Sequence, residues 1–190
     1  IYVVCVLIIL VICFTTFARC KNESDKLICT IGKYKFYVSL NSFFQINDNV
    51  TLKLYNKVLE YAKPNNDIIL DLYCGTGTIG IFVSKKASKV IGIEINKNAI
   101  KDANLNKELN NIKNIEFICG NVDTALNKIN LKPNTIIVDP PRSGLTKETI
   151  NKILDLKPNK IVYVSCDPMT LTRDLNILKE NYNIEEITPF

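Results

Sequence analysis

Histidine is absent from this 190-residue sequence. The chain alone therefore cannot form a Ser-His-Asp triad, a Cys-His pair, an HExxH zinc site or an imidazole general base. Its seven cysteines are too few for a disulfide scaffold and show no CxxC spacing, so no structural zinc or other metal is predicted. A functional cysteine in this chain is expected to be a nucleophile rather than a metal ligand.

The composition predicts one globular domain with a sizeable core, because 47% of the residues are hydrophobic and 23% are charged. Lysine and arginine outnumber aspartate and glutamate by 24 to 19, which leaves a net charge of +5. This basic excess favours a polyanionic partner such as RNA, although it is too small to identify one.

Charged residues are also absent from residues 1–18, and Arg19 is the first one in the chain. An uncharged run of this length is at the lower limit for a membrane-spanning helix, while its Val and Ile content also suits a buried strand. A signal-like segment or a gene-model artefact are the other interpretations. We expect an apolar segment over 1–20, a β-hairpin lead-in over 21–47 and the main domain over 48–190. The expected location is cytoplasmic, with membrane association through the first segment as the alternative.

Apolar runs that alternate with helical patterns predict a doubly wound, Rossmann-like α/β fold. A hairpin is expected around the Gly32-Lys33 turn, followed by a helix that Pro64 ends. Each predicted strand is mostly apolar, as in a parallel sheet covered on both faces. The predicted strands span residues 67–73, 89–95, 115–120, 134–140 and 160–166. The predicted helices between them span residues 78–87, 97–111, 146–156 and 168–181.

The first of these strands ends in a GxGxxG match at Gly75, Gly77 and Gly80, with Glu94 at the end of the next strand. The pattern fits a dinucleotide site, where a pyrophosphate would meet the helix N-terminus. Asp71 disfavours that interpretation, because its carboxylate would repel a pyrophosphate and attract a cation. S-adenosylmethionine carries an ammonium and a sulfonium, so it suits the loop better, with Glu94 accepting from the ribose hydroxyls. The alternative role for Asp71 is to cap the loop.

A second motif, I-I-V-D-P-P-R-S-G-L, ends the fourth predicted strand in Asp139 and two prolines. The prolines stiffen the exit from the strand, so Asp139 and nearby carbonyls would face a ligand at the edge of the sheet. The alternative is a tight connection in which Asp139 acts as a local cap.

A third motif places Cys166 at the end of the last predicted strand, just before a helix. Asp167 is expected at the N-cap of that helix and Pro168 at its first position. The helix dipole should lower the pKa of the thiol, and Asp167 should oppose this effect. Cys166 is therefore predicted to be a nucleophile, whereas Cys74 and Cys119 are expected to be buried and inert.

Four motifs together resemble the RNA uracil-5-methyltransferase family, and the resemblance runs from about residue 27 to the end. They are F-F-Q-I-N (43–47), D-L-Y-C-G-T-G (71–77), I-V-D-P-P-R-S-G-L (137–145) and V-S-C-D-P-M-T-L-T-R-D-L (164–175). The resemblance implies an S-adenosylmethionine-dependent class I domain that methylates C5 of a uridine in RNA, with 23S rRNA favoured over tRNA. It implies Cys166 as the nucleophile. The cofactor-contacting residues that it implies are Gln45, Tyr73, Glu94 and Asp139, with Thr78 and Asn121 at flanking positions.

The implied chemistry begins with the Cys166 thiolate adding to C6 of uracil, which makes C5 nucleophilic toward a methyl group. A base must then remove the C5 proton. In the family this base is a Glu in a further C-terminal segment, so no base is assigned among residues 1–190. The same comparison predicts an incomplete C-terminal strand pair and an open sheet edge beside residues 184–190.

Other functions remain open at this point. The main alternative is a catalytically incomplete fragment that binds cofactor or RNA without turnover, tethered to a membrane by residues 1–18. An amino-methyltransferase would use Asp139 and its prolines to hold a planar nitrogen, and it would not need Cys166. A dinucleotide oxidoreductase is the remaining interpretation of the glycine motif.

Overall fold

A computed structural model describes residues 2–7, 27–38 and 48–190. The strands are β1 (Tyr2–Leu7), β2 (Leu27–Ile31), β3 (Tyr34–Val38), β4 (Ile68–Leu72), β5 (Lys89–Glu94), β6 (Ile115–Cys119), β7 (Thr135–Val138), β8 (Lys160–Ser165) and β9 (Asn183–Pro189). The helices are α1 (Asp48–Ala62), α2 (Thr78–Ser84), α3 (Lys97–Leu109), α4 (Val122–Leu126), α5 (Lys147–Leu156) and α6 (Pro168–Leu178).

Seven strands form a parallel sheet in the order β6-β5-β4-β7-β8-β1-β9. From β4 the chain moves outward through β5 to β6, and then returns to the other side of β4 for β7 and β8. The gap between the carboxyl ends of β4 and β7 is therefore a topological switch point, the usual ligand position in such sheets. The predicted doubly wound α/β fold is confirmed.

Each face of the sheet carries its own apolar core, because alternate residues of a strand point to opposite sides. In β4, Ile69 packs with α1, α2 and the β2–β3 hairpin, while Leu70 packs on the face that α4, α5 and α6 cover. In β1, Val4 packs in the same core as Ile69 and Val3 packs in the same core as Leu70, and both valines are buried. Burial on both faces explains why the strands read as apolar runs rather than as alternating patterns.

Residues 2–7 of the uncharged N-terminal segment form β1, which lies between β8 and β9 and is parallel to both. The predicted open edge beside residues 184–190 is present among the described strands, since β9 forms the outer edge of the sheet, and on its inner side β9 pairs with β1. An apolar run specifies burial but not its strand partners, so the sequence pattern did not predict this pairing. In the described ranges, no helix combines the length and the apolarity that a membrane span requires.

The predicted hairpin forms as β2 and β3 and packs beside α3 through two asparagines. The side-chain oxygen of Asn110 accepts from the Lys35 N–H at 3.0 Å, and its amide donates to the Lys35 carbonyl at 2.7 Å. Asn106 makes the same two bonds to the backbone of Tyr37, at 2.6 and 3.3 Å, and also donates to the Thr76 carbonyl at 3.1 Å. The hairpin is thereby tied to the loop that follows β4.

Candidate active site

A cavity of about 600 Å³ opens at the switch point, at the carboxyl ends of β4, β5, β7 and β8. It brings together six residues that the sequence singled out, whereas Gln45 lies outside the described residues. The six are Tyr73, Thr78, Glu94, Asn121, Asp139 and Cys166. Segments far apart in the sequence thus meet at one site, as parallel strands in this order require.

The loop after β4 turns through three left-handed residues: Tyr73 (φ 62°), Gly75 (φ 53°) and Gly77 (φ 78°). Glu94 closes this turn from the neighbouring strand, where its carboxylate accepts from the N–H of Gly75 at 3.2 Å and of Asn96 at 2.8 Å. Each carboxylate oxygen has a second lone pair, so Glu94 keeps the capacity to accept from a ligand hydroxyl. The glycine turn and the acid are therefore one hydrogen-bonded unit.

Asp71 lies beneath this loop, fully buried, and among the described residues neither of its carboxylate oxygens has a hydrogen-bond partner. Burial and the nearby Asp139 carboxylate raise the pKa of Asp71 to about 8, and Glu94 adds to this effect. The Gly80 backbone N–H opposes the rise, although its geometry falls short of a hydrogen bond. Asp71 therefore does not cap the loop, and this alternative interpretation of the motif is wrong.

Replacing Asp71 with Asn is expected to flatten the dependence of stability on pH between about pH 4 and pH 8. The folded chain keeps the Asp71 proton up to a pKa of about 8, whereas the unfolded chain loses it near the ordinary value of 3.8. The unfolding free energy therefore falls as pH rises through this window, by a few kcal/mol for a shift of this size. Urea unfolding at a series of pH values measures the slope. Asp155→Asn on the exposed surface of α5 is the matched control, and an equal slope in wild type and Asp71→Asn would contradict this account.

Asp139 follows β7 directly, and its N–H donates to the Leu72 carbonyl at 3.3 Å, which holds it beside β4. Asp139 is half-buried where it lines the cavity, and desolvation raises its pKa to about 7. Pro140 is buried and Pro141 is exposed, so the stiff exit predicted from the sequence forms one wall of the cavity.

Cys166 lies one residue after the end of β8, the strand next to β7, and is partly exposed at the cavity. Asp167 caps α6 by accepting from the N–H groups of Met169 and Thr170, both at 2.9 Å, and Pro168 occupies the first helical turn as predicted. The expected lowering of the thiol pKa is wrong for the chain as it stands. Burial and the Asp139 carboxylate raise the pKa of Cys166 and outweigh the opposing Arg142 guanidinium.

The other cysteines near the site differ from each other. Cys74 is buried, and desolvation raises the pKa of its thiol well above the usual value. Cys119 is exposed, which corrects the expectation that it is buried, because its side chain lies at the end of strand β6 at the edge of the sheet. Among the described residues, no group of three or more cysteine or acidic side chains is arranged to hold a metal ion.

Helix α6 holds the loop that continues from Asp139. Asp174 is fully buried, and one of its oxygens accepts from the Tyr163 hydroxyl and from the Leu145 N–H, both at 2.7 Å. Arg173 binds the other oxygen from Nε at 2.9 Å and donates to the Ser143 and Leu145 carbonyls at 2.9 and 3.1 Å. We call Arg173 and Asp174 the α6 clamp. It joins the element that starts beside Cys166 to the loop that starts at Asp139.

The cavity-lining residues that sequence reasoning did not single out include Tyr55, Ile95, Asn96 and Arg142. The Tyr55 hydroxyl and Thr78 Oγ1 are 2.9 Å apart, which couples α1 to the start of α2. Ile95 is 64% exposed although it directly follows a buried strand, and Asn96 caps α3. The position of Ile95 and Asn96 just after Glu94 could have identified them, whereas nothing in the local sequence around Tyr55 indicates a site.

Two predicted residues make contacts within the protein at the same cavity. Asn121 caps α4 by accepting from the Asp123 N–H at 2.8 Å. The Tyr73 hydroxyl is 3.3 Å from Thr149 Oγ1, which links the glycine turn to α5.

Solved structures share this fold. A Pyrococcus abyssi tRNA (uracil-54, C5)-methyltransferase, solved with S-adenosyl-L-homocysteine, superposes with a TM-score of 0.72 at 35% identity over 82% of this chain and 38% of that one. A Methanocaldococcus jannaschii tRNA m1G37 methyltransferase superposes with a TM-score of 0.56 at 24% identity over 69% of this chain and 39% of that one, which supports the fold alone. The fold is that of the class I methyltransferases.

Sequence comparison identifies the family. The family model described as tRNA (uracil-5-)-methyltransferase matches residues 22–190, and the chain therefore belongs to this family. A Bacillus cereus protein named an uncharacterized RNA methyltransferase is 47% identical over 87% of this chain, and one of the same name from Clostridium tetani is 45% identical over 87%. The chain spans about 37% of the length of these relatives.

Proposed function

We propose that this chain methylates C5 of a uridine in RNA, with S-adenosylmethionine as methyl donor and Cys166 as nucleophile. The observation that carries the proposal is that the Cys166 thiol opens onto the same cavity as the glycine turn, Glu94 and Asp139. Membership of the uracil-5-methyltransferase family and the named reaction of the Pyrococcus relative support the substrate class.

The residues around the glycine turn fit S-adenosylmethionine. A Cβ at Gly75 would meet nothing within 4 Å, so the turn leaves open space beside the cavity. Glu94 lines the cavity beside the turn, and its carboxylate disfavours a pyrophosphate, whereas buried Asp71, with its pKa raised to about 8, is mostly neutral at pH 7. Tyr73, Glu94, Asn121 and Asp139, with Thr78 at the start of α2, would hold the cofactor, and Gln45 is proposed with them from its motif. The cofactor supplies a methyl group on a positively charged sulfur.

C5 of uracil is a poor nucleophile toward a methyl group, and addition of Cys166 would activate it. The thiolate adds to C6, a new S–C bond forms, and the electron pair of the C5–C6 double bond moves toward C5 and O4. C5 then has the electron density that methylation needs. A uridine inside a helix hides this edge, so we expect the base to enter the cavity unstacked or flipped.

The raised pKa of Cys166 indicates how the thiol would be activated. Asp139 raises this pKa and Arg142 lowers it, so neutralising the Asp139 charge would shift the balance toward the thiolate. With its own pKa near 7, Asp139 is protonated in a substantial fraction of molecules at neutral pH. The base that removes the C5 proton is not assigned.

The proposal also includes the kind of RNA that is methylated. Sequence resemblance favours 23S rRNA, whereas the Pyrococcus relative is named for a tRNA uridine. Fragments of both RNAs should therefore be tested as substrates.

Covalent trapping tests the proposal. RNA containing 5-fluorouridine is incubated with the full chain and S-adenosylmethionine, because fluorine at C5 blocks the elimination that would release the enzyme. We expect a protein–RNA adduct that is resistant to denaturation in the wild type and in Cys119→Ser, and none in Cys166→Ser. An adduct in Cys166→Ser, or none in the wild type, would contradict the proposed mechanism.

Tritium release from C5-labelled RNA separates turnover from trapping, because it requires the unassigned base. An adduct without tritium release would support the alternative, a fragment that binds cofactor and RNA without turnover. Methyl transfer to RNA that persists in Cys166→Ala would instead favour an amino-methyltransferase.

A further inference from the structure

A second concave surface lies at the amino ends of the strands, whereas the cavity lies at their carboxyl ends. It occupies about 740 Å³ between the hairpin turn, the end of α2 and the turn that joins α3 to β6. Helices α2 and α3 begin beside the cavity and end here, so the two sites are separated by the length of a strand. We call it the basic groove, and it is lined by residues 33–35, 84–85 and 109–114.

Lysine supplies all the charge of the basic groove. Lys33 and Lys35 come from the hairpin, Lys85 from the end of α2 and Lys113 from the turn before β6, and all four are exposed. None of the lining residues is acidic. Within the part of the chain that the structure describes, no salt bridge involves any of these four lysines. Their positive potential is therefore not neutralised by carboxylates in the groove lining.

The backbone that carries these lysines is fixed. The two bonds between Asn110 and the backbone of Lys35 hold one wall. On the other wall, the Asn114 amide donates to the Ser84 and Ala87 carbonyls, both at 2.8 Å. The ammonium of Lys33 lies 5.0 Å from the centre of the Tyr34 ring, a cation–π distance. These contacts hold positive charges from three separate segments around one groove before any partner binds.

We propose that the basic groove binds the sugar–phosphate backbone of the RNA whose uridine enters the cavity. This inference rests on the proposed function. Lysine presents a point charge that suits phosphate oxygens, and such contacts position a nucleic acid without reading its bases. The groove would thus hold RNA flanking the target uridine and contribute affinity that does not depend on sequence.

The test compares two double variants that remove equal charge. Lys33→Gln with Lys113→Gln alters the groove, and Lys128→Gln with Lys132→Gln alters exposed lysines on the connection between α4 and β7. Binding of a fluorescein-labelled RNA stem–loop with a uridine in its loop is followed by anisotropy over a range of salt concentrations. We expect the groove variant to lose affinity about tenfold at low salt, with a log–log salt slope shallower by about 1.5, because two phosphate contacts are lost. The control should stay within about twofold of the wild type.

The remaining outcomes also decide the proposal. Equal losses in both double variants would overturn it, since net charge alone would then explain the affinity. Binding of phosphatidylserine vesicles that depends on Lys33 and Lys113 while RNA binding does not would assign the groove to a membrane surface instead. If the wild type binds RNA and Cys166 is trapped, but the groove variant binds RNA as well as the wild type, the role of the groove in RNA binding is refuted and the proposed function is not. A wild type that neither binds RNA nor forms the adduct would refute the proposed function as well.

Discussion

Alanine at position 77 is expected to lower the free energy of unfolding by about 2–4 kcal/mol. Gly77 has φ 78°, and a side chain in this left-handed region costs about 1–2 kcal/mol. An added Cβ would also lie 2.8 Å from Cε1 of Phe117 and 3.1 Å from the Cβ of Ala103. Relieving that overlap requires the ring or α3 to move, which adds about 1–3 kcal/mol. Urea unfolding without cofactor measures the total.

Gly75→Ala is the matched control for this experiment. Gly75 also has positive φ, at 53°, but its added Cβ would meet no atom within 4 Å. Only the backbone cost of about 1 kcal/mol should remain. If both variants lose the same stability, the close contact between the loop and Phe117 does not explain why glycine is needed at position 77.

The architecture of the site could be predicted because it follows from strand ends. Tyr73, Glu94, Asp139 and Cys166 each lie directly at or after the end of an apolar run, and a parallel sheet brings such positions to one edge. Periodicity identifies the runs, and the short connections limit the topology to a few arrangements.

What could not be predicted depends on contacts between distant segments. Nothing in residues 2–7 specifies that this strand lies between β8 and β9, since an apolar strand fits many positions in a sheet. Asn106 and Asn110 bind hairpin residues that lie 69 and 75 positions earlier in the chain, respectively. The raised pKa of Cys166 has the same origin, because burial and the carboxylate of Asp139, which comes from a distant segment, raise it more than Arg142 lowers it.

Alanine in place of Asp174 is expected to cost about 3 kcal/mol of stability. The change removes an acceptor from two buried groups at once, the Leu145 N–H and the Tyr163 hydroxyl, each 2.7 Å from the same carboxylate oxygen. Losing the acceptor of a buried donor costs about 1–3 kcal/mol. Arg173 limits the total, because its side chain is 52% exposed and its guanidinium can turn toward water. Urea unfolding measures the loss.

Tyr163→Phe distinguishes the α6 clamp from ordinary core packing. It removes one donor and leaves Asp174 bonded to Leu145 and Arg173, so we expect a loss of about 1 kcal/mol. Hydrogen exchange adds a local measurement, since the Leu145 amide should exchange faster in Asp174→Ala and remain protected in Tyr163→Phe. Equal costs, or equal protection of Leu145, would mean that Asp174 is not the centre of the network. The expected difference would instead show that a single buried carboxylate holds the loop that follows Asp139 against the helix that starts beside Cys166.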